Sequence, residues 1–400
     1  MNLRVIDYIV NDGGSLRYQN ELFEEAFKLL PNLTIEYISH GVSLKKAAQN
    51  FSHLKQIKFI DIPPIESYVL RMANRILPPL IQKVFFRLFP ETRWAKTVPN
   101  EALMTEDIVF FPWIHNHQVQ TNLSDNVFGV IQDAIIFRQR TLAPKSCIRL
   151  ERKIIKKWID SKARIICTTN TSSKNIAKIF NVSKRRFNYI HLSTTAEKPT
   201  INEKYLEIDK PNKKYFYYAA NTSPHKNHEV LFDALKFFKN KYSLAMAGTK
   251  TDLLSNISSR SKYLCKYANK LNLTGNKDYY GYGYISHYDH QYLFKNASAI
   301  IFPSKDEGWG YPVFEAISLG IPLICASLEI YREIFDDIEN PILWFDPNDY
   351  KSLVKQINFF DNNYIMIKNS FKDFSKKFPH RTPKQVAQET INLLNQGQRL

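Results

Sequence analysis

Ala299-Ile-Ile-Phe-Pro-Ser-Lys-Asp-Glu307-Gly-Trp-Gly-Tyr-Pro-Val-Phe-Glu315-Ala-Ile-Ser-Leu-Gly-Ile-Pro-Leu-Ile-Cys-Ala-Ser-Leu-Glu329 reads as strand, polar loop, short helix, strand. Ala299–Phe302 is a short apolar run, as expected of a parallel strand buried on both faces. Gly308 and Gly310 let the backbone approach a ligand closely. Pro312 suits a first helical turn and Gly320 the stop at its end. Glu307 falls in the loop and Glu315 on the helix, with seven residues between them. Ligands of open α/β sheets bind at the carboxyl ends of the strands, where this loop must lie. Backbone N–H groups at a helix start hold anionic or hydroxyl-rich groups. An ordinary βα unit with two exposed glutamates is the competing reading.

Outward from this stretch the chain keeps alternating. Toward the N-terminus, Leu3–Val10, Leu33–Ser39, Lys58–Ile62, Asp107–Phe111, Val127–Gln132, Arg164–Thr168 and Phe187–Leu192 read as strands. Leu16–Leu30 and Arg149–Ile159 carry helical periodicity, and Thr171-Ser172-Ser173 offers a cap for a helix running to Phe180. A second set follows, with strands at Tyr215–Ala220, Tyr242–Ala247, Tyr279–Tyr280, Ala299–Phe302, Pro322–Cys325 and Ile342–Phe345. Helix Glu229–Phe238 carries an apolar stripe of Val230, Leu231, Ala234, Leu235 and Phe238. The expectation is α/β: two Rossmann-like, doubly wound domains facing a cleft. Residues 1–195 form the first domain, the polar stretch 196–213 a linker, and 214–378 the second domain. Residues 379–400 are expected to be a C-terminal helix, with the option of crossing back to the first domain. Tyr68–Pro90 is the least regular part. It mixes apolar residues with Arg71, Arg75, Lys83 and Arg87 around Pro78-Pro79, and reads as a packed insertion or as two amphipathic helices on a membrane surface.

Bulk properties narrow the functions. The 400 residues suit two domains, and the 44% hydrophobic fraction suffices for sizeable cores. No apolar run reaches the roughly 18 residues of a membrane span. The opening Met-Asn-Leu-Arg-Val-Ile-Asp-Tyr-Ile-Val reads as a strand and not as a cleavable leader. Four scattered cysteines lack metal-ligand spacing, and Cys167 and Cys325 fall in apolar strands, which suits buried thiols in a reducing cytoplasm. The net charge of +17 favours a polyanionic partner: nucleic acid, an anionic membrane or phosphorylated substrates. Its basic groups include Arg149, Arg152, Lys153, Lys156 and Lys157, and then Lys184, Arg185 and Arg186. No nucleic-acid motif accompanies them.

Other residues point to chemistry. Asn221-Thr-Ser-Pro-His-Lys-Asn-His228 lies between a strand and a helix, and Lys226 there suits a diphosphate. Gly13-Gly14 ends the first strand before a helix, so sugar or phosphate can approach. Tyr280-Gly-Tyr-Gly-Tyr-Ile-Ser-His is a tyrosine-rich turn before a helix. Val130-Ile-Gln-Asp133 ends a strand; the Gln132 amide suits a sugar hydroxyl. His115 and His117 follow another strand, where a surface loop competes with a place in the cleft. No Asp-x-Asp falls in a strand-end loop, so no metal site is expected.

Phe-Pro-Ser, the Glu-Gly-aromatic-Gly-x-Pro core and the small-residue helix ending in Gly-x-Pro together resemble the E-x7-E signature of family 4 (group 1) retaining glycosyltransferases, which have the GT-B architecture. The Pro-His-Lys-Asn loop resembles that family's diphosphate loop, about 80 residues earlier. The resemblance implies that Lys226 contacts the donor diphosphate and Glu307 a sugar hydroxyl. It implies that Glu315 holds the ribose, with Gly308, Gly310, Tyr311 and Pro312 lining the donor and the backbone at Tyr284 and Ile285 near the nucleobase. Asn221 stands where many relatives carry an arginine. Gln132 replaces a usual histidine before the retained Asp133; its backbone carbonyl is left to face the anomeric carbon. Gly13, Gly14, Gln132 and Asp133 are assigned to the acceptor or cleft. The implied reaction is metal-independent front-face transfer from a nucleotide-diphosphate sugar, which is a substrate, so no cofactor is expected. The implied acceptor is a saccharide, expected to be lipid-linked, in polysaccharide or lipopolysaccharide assembly. The implied location is cytoplasmic, with the option of a peripheral place on the inner membrane face and its anionic surface. Two other readings stand beside this one: a sugar-nucleotide epimerase of the same architecture, and a basic nucleic-acid-binding protein.

Overall fold

Strands in this chain are nearly continuous apolar runs, and runs of that kind need cover on both faces. The computed structural model describes residues 1–10, 13–139, 141–196, 208–255 and 258–396, and its strands follow those runs. In chain order they are β1 (Asn2–Ile6), β2 (Thr34–Ser39), β3 (Ile57–Asp61), β4 (Lys96–Thr97), β5 (Ile108–Phe111), β6 (His117–Gln118), β7 (Val127–Ile131), β8 (Arg164–Cys167) and β9 (Phe187–Tyr189). After these come β10 (Tyr215–Ala219), β11 (Ser243–Ala247), β12 (Tyr279–Gly281), β13 (Ala299–Phe302), β14 (Leu323–Ala326) and β15 (Leu343–Phe345). The chain forms two compact units, Met1–Ser193 with the segment beginning at Arg381, and Thr194–His380. Most of the polar stretch 196–213 lies outside the described residues.

The first unit holds a seven-stranded sheet in the order β3-β2-β1-β5-β7-β8-β9. Its neighbouring strands run parallel. The central strands β5 and β7 are buried throughout. Gly129 in β7 is required by packing: a Cβ there would stand 2.4 Å from the Ile114 side chain and 2.8 Å from Trp158, which is fully buried. Helix Gly14–Leu29 buries Leu16, Tyr18, Leu22, Phe23, Ala26 and Phe27, a stripe of helical period. Helix Pro383–Asn395 starts with a capping box between Thr382 and Gln385 and packs on Gly14–Leu29. The pair β4 and β6 forms a small separate sheet.

The second unit holds a six-stranded parallel sheet in the order β12-β11-β10-β13-β14-β15. Both sheets share one topological feature. The chain steps outward from β1 through β2 to β3, then returns to the other side of β1 with β5. It steps outward from β10 through β11 to β12, then returns beside β10 with β13. At such a reversal the loops leaving the two adjacent strands part, and a crevice opens at their carboxyl ends. The two motifs singled out in the sequence follow β10 and β13.

The sequence reading ran the first strand on to Val10, whereas β1 stops at Ile6. Asp7 ends it, because its carboxylate turns in to accept from the Ile9 N–H at 2.9 Å and from the Gln19 amide at 3.1 Å. Cys147, Cys167 and Cys325 are buried free thiols, and Cys265 is free as well.

Candidate active site

After β10 the chain enters a short turn, Pro224–Lys226, and helix His228–Phe238. Asn227 takes a left-handed conformation, φ 57°. Its side-chain amide donates to the carbonyls of Pro303 at 3.0 Å and Pro347 at 2.8 Å. The Lys305 N–H donates to the His225 carbonyl at 2.8 Å. The loops after β10 and β13 are thus laced together through backbone groups, as burial of both requires.

This lacing brings Lys226 to Glu307. Nζ lies 2.6 Å from Oε1, with 17% of the lysine and 7% of the glutamate side chain exposed. The Tyr218 hydroxyl, at the end of β10, donates to the Lys226 carbonyl at 2.8 Å and fixes the turn from below. Gly310 has φ 86°, and a Cβ there would fall 2.2 Å from the Tyr331 hydroxyl. Helix Tyr311–Ser318 then starts with a proline in its first turn, as the sequence implied. Glu307 and Glu315 are both buried, at 6% and 7% exposure, which overturns the reading of two solvated glutamates.

Glu315 faces a different partner. His290 Nε2 lies 3.7 Å from its Oε2, and His290 Nδ1 lies 2.8 Å from the Tyr217 hydroxyl. Pro312 is half-buried and Tyr311 buried on the same helix. Gly308 is buried beside Glu307. Tyr284 and Ile285 follow β12, at the sheet edge two strands from β10. Tyr284 is exposed, and its neighbour Gly283 is held by the Thr251 hydroxyl and the Gly248 N–H. Asn221 is exposed, with its side chain closing its own turn onto the Ser223 N–H at 2.9 Å.

A cation does reach that loop from elsewhere. Arg260, on helix Ser259–Lys270, donates to the Thr222 carbonyl at 3.0 Å and pairs with both oxygens of Glu229 at 2.6 and 2.8 Å. No local pattern marks Arg260; only the fold carries it to the Asn221–Lys226 loop. His228 opens the next helix with both ring nitrogens buried and without hydrogen-bond partners. Burial, with help from Arg260, Lys226 and His225, pulls its ring down to about 3.

In the first unit, Gly13 caps helix Gly14–Leu29 with φ 98°. It stands after β1, while Gln132 and Asp133 follow β7, on the far side of β5. The Gln132 carbonyl accepts from the Thr168 hydroxyl at 2.6 Å. Its amide nitrogen is buried without a hydrogen-bond partner. Asp133 closes a turn onto the Ile135 N–H at 2.8 Å.

His115 and His117 are not surface residues. Both are buried. His115 Nδ1 lies 2.9 Å from the fully buried Glu151, and its Nε2 lies 3.3 Å from the Asp133 carbonyl. Burial lowers the His115 ring, but the hydrogen bond and charge of Glu151 outweigh it, and the ring ends above its usual range. His117 accepts from the Tyr8 N–H at 2.9 Å and has Asp7 at 3.9 Å; burial pushes it down and pushes the Asp7 carboxyl up. Glu151 and Asp7 were not singled out in the sequence, since lone acids on a helix and a strand end look like surface residues. Arg186, grouped in the sequence with a basic cluster, instead closes the end of helix Lys145–Asp160, donating to the carbonyls of Trp158 and Ile159 in its last turn and of Ser161 and Ala163 just beyond it.

The second unit therefore offers a lysine, two buried carboxylates and a helix start at a topological switch point. Such a set binds an anion beside hydroxyl groups. Residues 201–378 match the family model described as Glycosyl transferases group 1. O-antigen chain mannosyltransferase RfbU of Salmonella typhimurium is 23% identical over 201 residues, 50% of this chain and 52% of that protein. O-antigen chain mannosyltransferase B of Escherichia coli is 25% identical over 247 residues, 56% of this chain and 58% of that protein. The aligned part thus spans little more than half the length of these relatives. Among solved structures, Anabaena HepE in complex with UDP and glucose superposes with a TM-score of 0.64 at 13% identity, covering 99% of this chain and all of that one. That likeness establishes the two-domain α/β fold with parallel sheets known as GT-B.

Proposed function

We propose, from the match of residues 201–378 to the model of the group 1 glycosyl transferases, that this chain moves a sugar from a nucleotide-diphosphate donor to a saccharide acceptor. The observation that carries the reading is the 2.6 Å contact between Lys226 and Glu307 across the switch point. Departure of a nucleoside diphosphate develops negative charge, and a preorganised ammonium beside backbone N–H groups stabilises it. Lys226 supplies that charge, and Glu307 holds it in place until the donor arrives. With the diphosphate bound, Glu307 turns its second oxygen to a sugar hydroxyl. Glu315, steadied by His290 and Tyr217, binds the ribose hydroxyls. Gly308, Gly310, Tyr311 and Pro312 shape the donor loop, and the backbone of Tyr284 and Ile285 lies toward the base. Gly13, Gly14, Gln132 and Asp133, at the carboxyl edge of the first sheet, are assigned to the acceptor.

The transfer retains configuration through front-face attack, in which the leaving phosphate takes the acceptor's proton. It uses no metal and no cofactor. The names of the O-antigen chain mannosyltransferase relatives support a hexose, mannose among the candidates, and a place in polysaccharide or lipopolysaccharide assembly. The acceptor in this reading is a lipid-linked saccharide. The chain then works at the cytoplasmic membrane face; no helix among the described residues is long and apolar enough to cross it.

The test is a thermal-shift screen with GDP, UDP, dTDP and ADP. One of them is expected to raise the midpoint in the wild type, because a ligand specific for the folded state stabilises it by mass action. Glu315→Gln is expected to lose most of that shift. No stabilisation by any of the four would overturn the reading.

A further inference from the structure

Residues 67–90 lie between Glu66 and Glu91 and contain no acidic residue, yet carry Arg71, Arg75, Lys83 and Arg87. They form two helices, Tyr68–Ile76 and Pro79–Leu88. The helices repeat one spacing at an offset of 12 residues. In the first, Tyr68, Val69, Met72 and Ile76 fall on one face, with Arg71 and Arg75 beside it. In the second, Leu80, Ile81, Val84 and Leu88 do the same, with Lys83 and Arg87 beside them. Steps of one, four and eight residues keep an apolar stripe within about 100° of helix surface.

A stripe of that kind in a soluble core would be covered. Here Pro79–Leu88 buries no residue and Tyr68–Ile76 only Ala73. Tyr68 is 73% and Leu80 75% exposed. The hairpin is nevertheless well anchored. The Ile65 N–H donates to the Thr97 carbonyl at 2.9 Å, and the Trp94 indole to buried Glu151 at 2.8 Å. The Gln82 amide donates to the Leu77 carbonyl at 2.8 Å and ties the turn. This is a held protrusion with an uncovered apolar face and a fringe of cations.

We infer that this hairpin is the surface that docks the chain onto an anionic bilayer. Apolar side chains flanked by lysine and arginine suit the boundary between acyl chains and acidic headgroups. The absence of any acid from residues 67–90 removes the repulsion an anionic surface would otherwise meet. A protein partner of like chemistry would need acids to meet the four cations. The inference deepens the proposed function by naming the surface that brings the chain to a lipid-linked acceptor, and it rests on that reading.

The experiment is co-sedimentation of the full chain with phosphatidylcholine vesicles, with and without phosphatidylglycerol, at low and high salt. Binding is expected to require phosphatidylglycerol and to fall with salt. Neutralising Arg71, Arg75, Lys83 and Arg87 to glutamine is expected to weaken it by about fivefold per cation removed. Leu80→Glu with Val84→Glu is expected to abolish it while nucleotide affinity stays at the wild-type value. Nucleotide affinity separates the two readings: if it is intact and vesicle binding is absent, the docking inference alone fails. Equal binding by the wild type and either variant overturns the inference. So does a concentration-dependent dimer in solution that Leu80→Glu with Val84→Glu dissolves, since the face would then belong to a second copy.

Discussion

Lys226 and Glu307 each solve the other's problem of burial. A carboxylate at 6% exposure is costly without a counter-charge, and a lysine held by one partner is ready for another. Removing either leaves the other uncompensated. Lys226→Ala and Glu307→Gln are each expected to lower the unfolding free energy by roughly 1–3 kcal/mol, the range for an unsatisfied buried group. The double variant is expected to lose much less than the sum of the two, as chemical unfolding of all four proteins would report; strict additivity would mean that the pair is not coupled. His228 makes a pH prediction. Its ring stays neutral in the fold, down to about 3, while the unfolded chain takes up a proton near the ordinary imidazole value of 6.5. A depressed folded value makes this group's stability contribution present above about pH 6.5 and lost as pH falls toward 3, by about 1.4 kcal/mol per unit. Since neither ring nitrogen has a hydrogen-bond partner, His228→Leu is expected to gain on the wild type by roughly 2 kcal/mol between about pH 7 and pH 5. A constant gap between the two proteins would contradict it. Lys226, Glu307 and Glu315 were legible because their neighbours in sequence carry the pattern. Arg260, Glu151 and Asp7 were not, because their partners are distant in sequence and a lone charge gives no sign of what it will meet.

Elements were legible where a run had one period and failed where tertiary contacts decide the ends. The buried strands of both sheets stood out as apolar runs, since β propensity and double-sided burial point the same way there. Helix Gly41–Asn50 was missed, because it buries only Ala47 and so shows no stripe. Ser259–Lys270 was missed for a similar reason, with Ser261, Leu264 and Ala268 alone buried. The turn before Tyr311–Ser318 was legible through its glycines. At Gly310 the positive φ and the nearby Tyr331 hydroxyl leave no room for a Cβ. Gly310→Ala is expected to cost about 1–3 kcal/mol of stability and to displace the Glu307 loop, so nucleotide affinity should fall with it. Wild-type affinity in a folded Gly310→Ala protein would separate this loop from the donor site.

At the scale of the whole molecule, the sheet order decides more than any motif. Strand alternation implied two doubly wound domains, but only the observed order places β10 beside β13 and puts Lys226 and Glu307 on one crevice. The segment from Arg381 belongs to the first unit, where Pro383–Asn395 packs on Gly14–Leu29. Its removal is expected to destabilise the first unit by uncovering the face of Gly14–Leu29 it packs on, where Tyr18 hydrogen-bonds Thr390, while the second unit keeps its own melting transition. Calorimetry of the shortened chain would show this; loss of the second transition instead would contradict the division. The basic surface is less informative than its charge suggested, since Arg186 and Arg260 are engaged in holding the fold. The central claim, a sugar-donor site at the switch point of the second sheet, is tested most directly by the rate of nucleoside diphosphate release from the sugar nucleotide whose base the thermal screen identifies. The account predicts turnover by the wild type and a fall of about two orders of magnitude in Lys226→Ala, roughly 3 kcal/mol of lost transition-state stabilisation. Release at an unchanged rate in Lys226→Ala would contradict it.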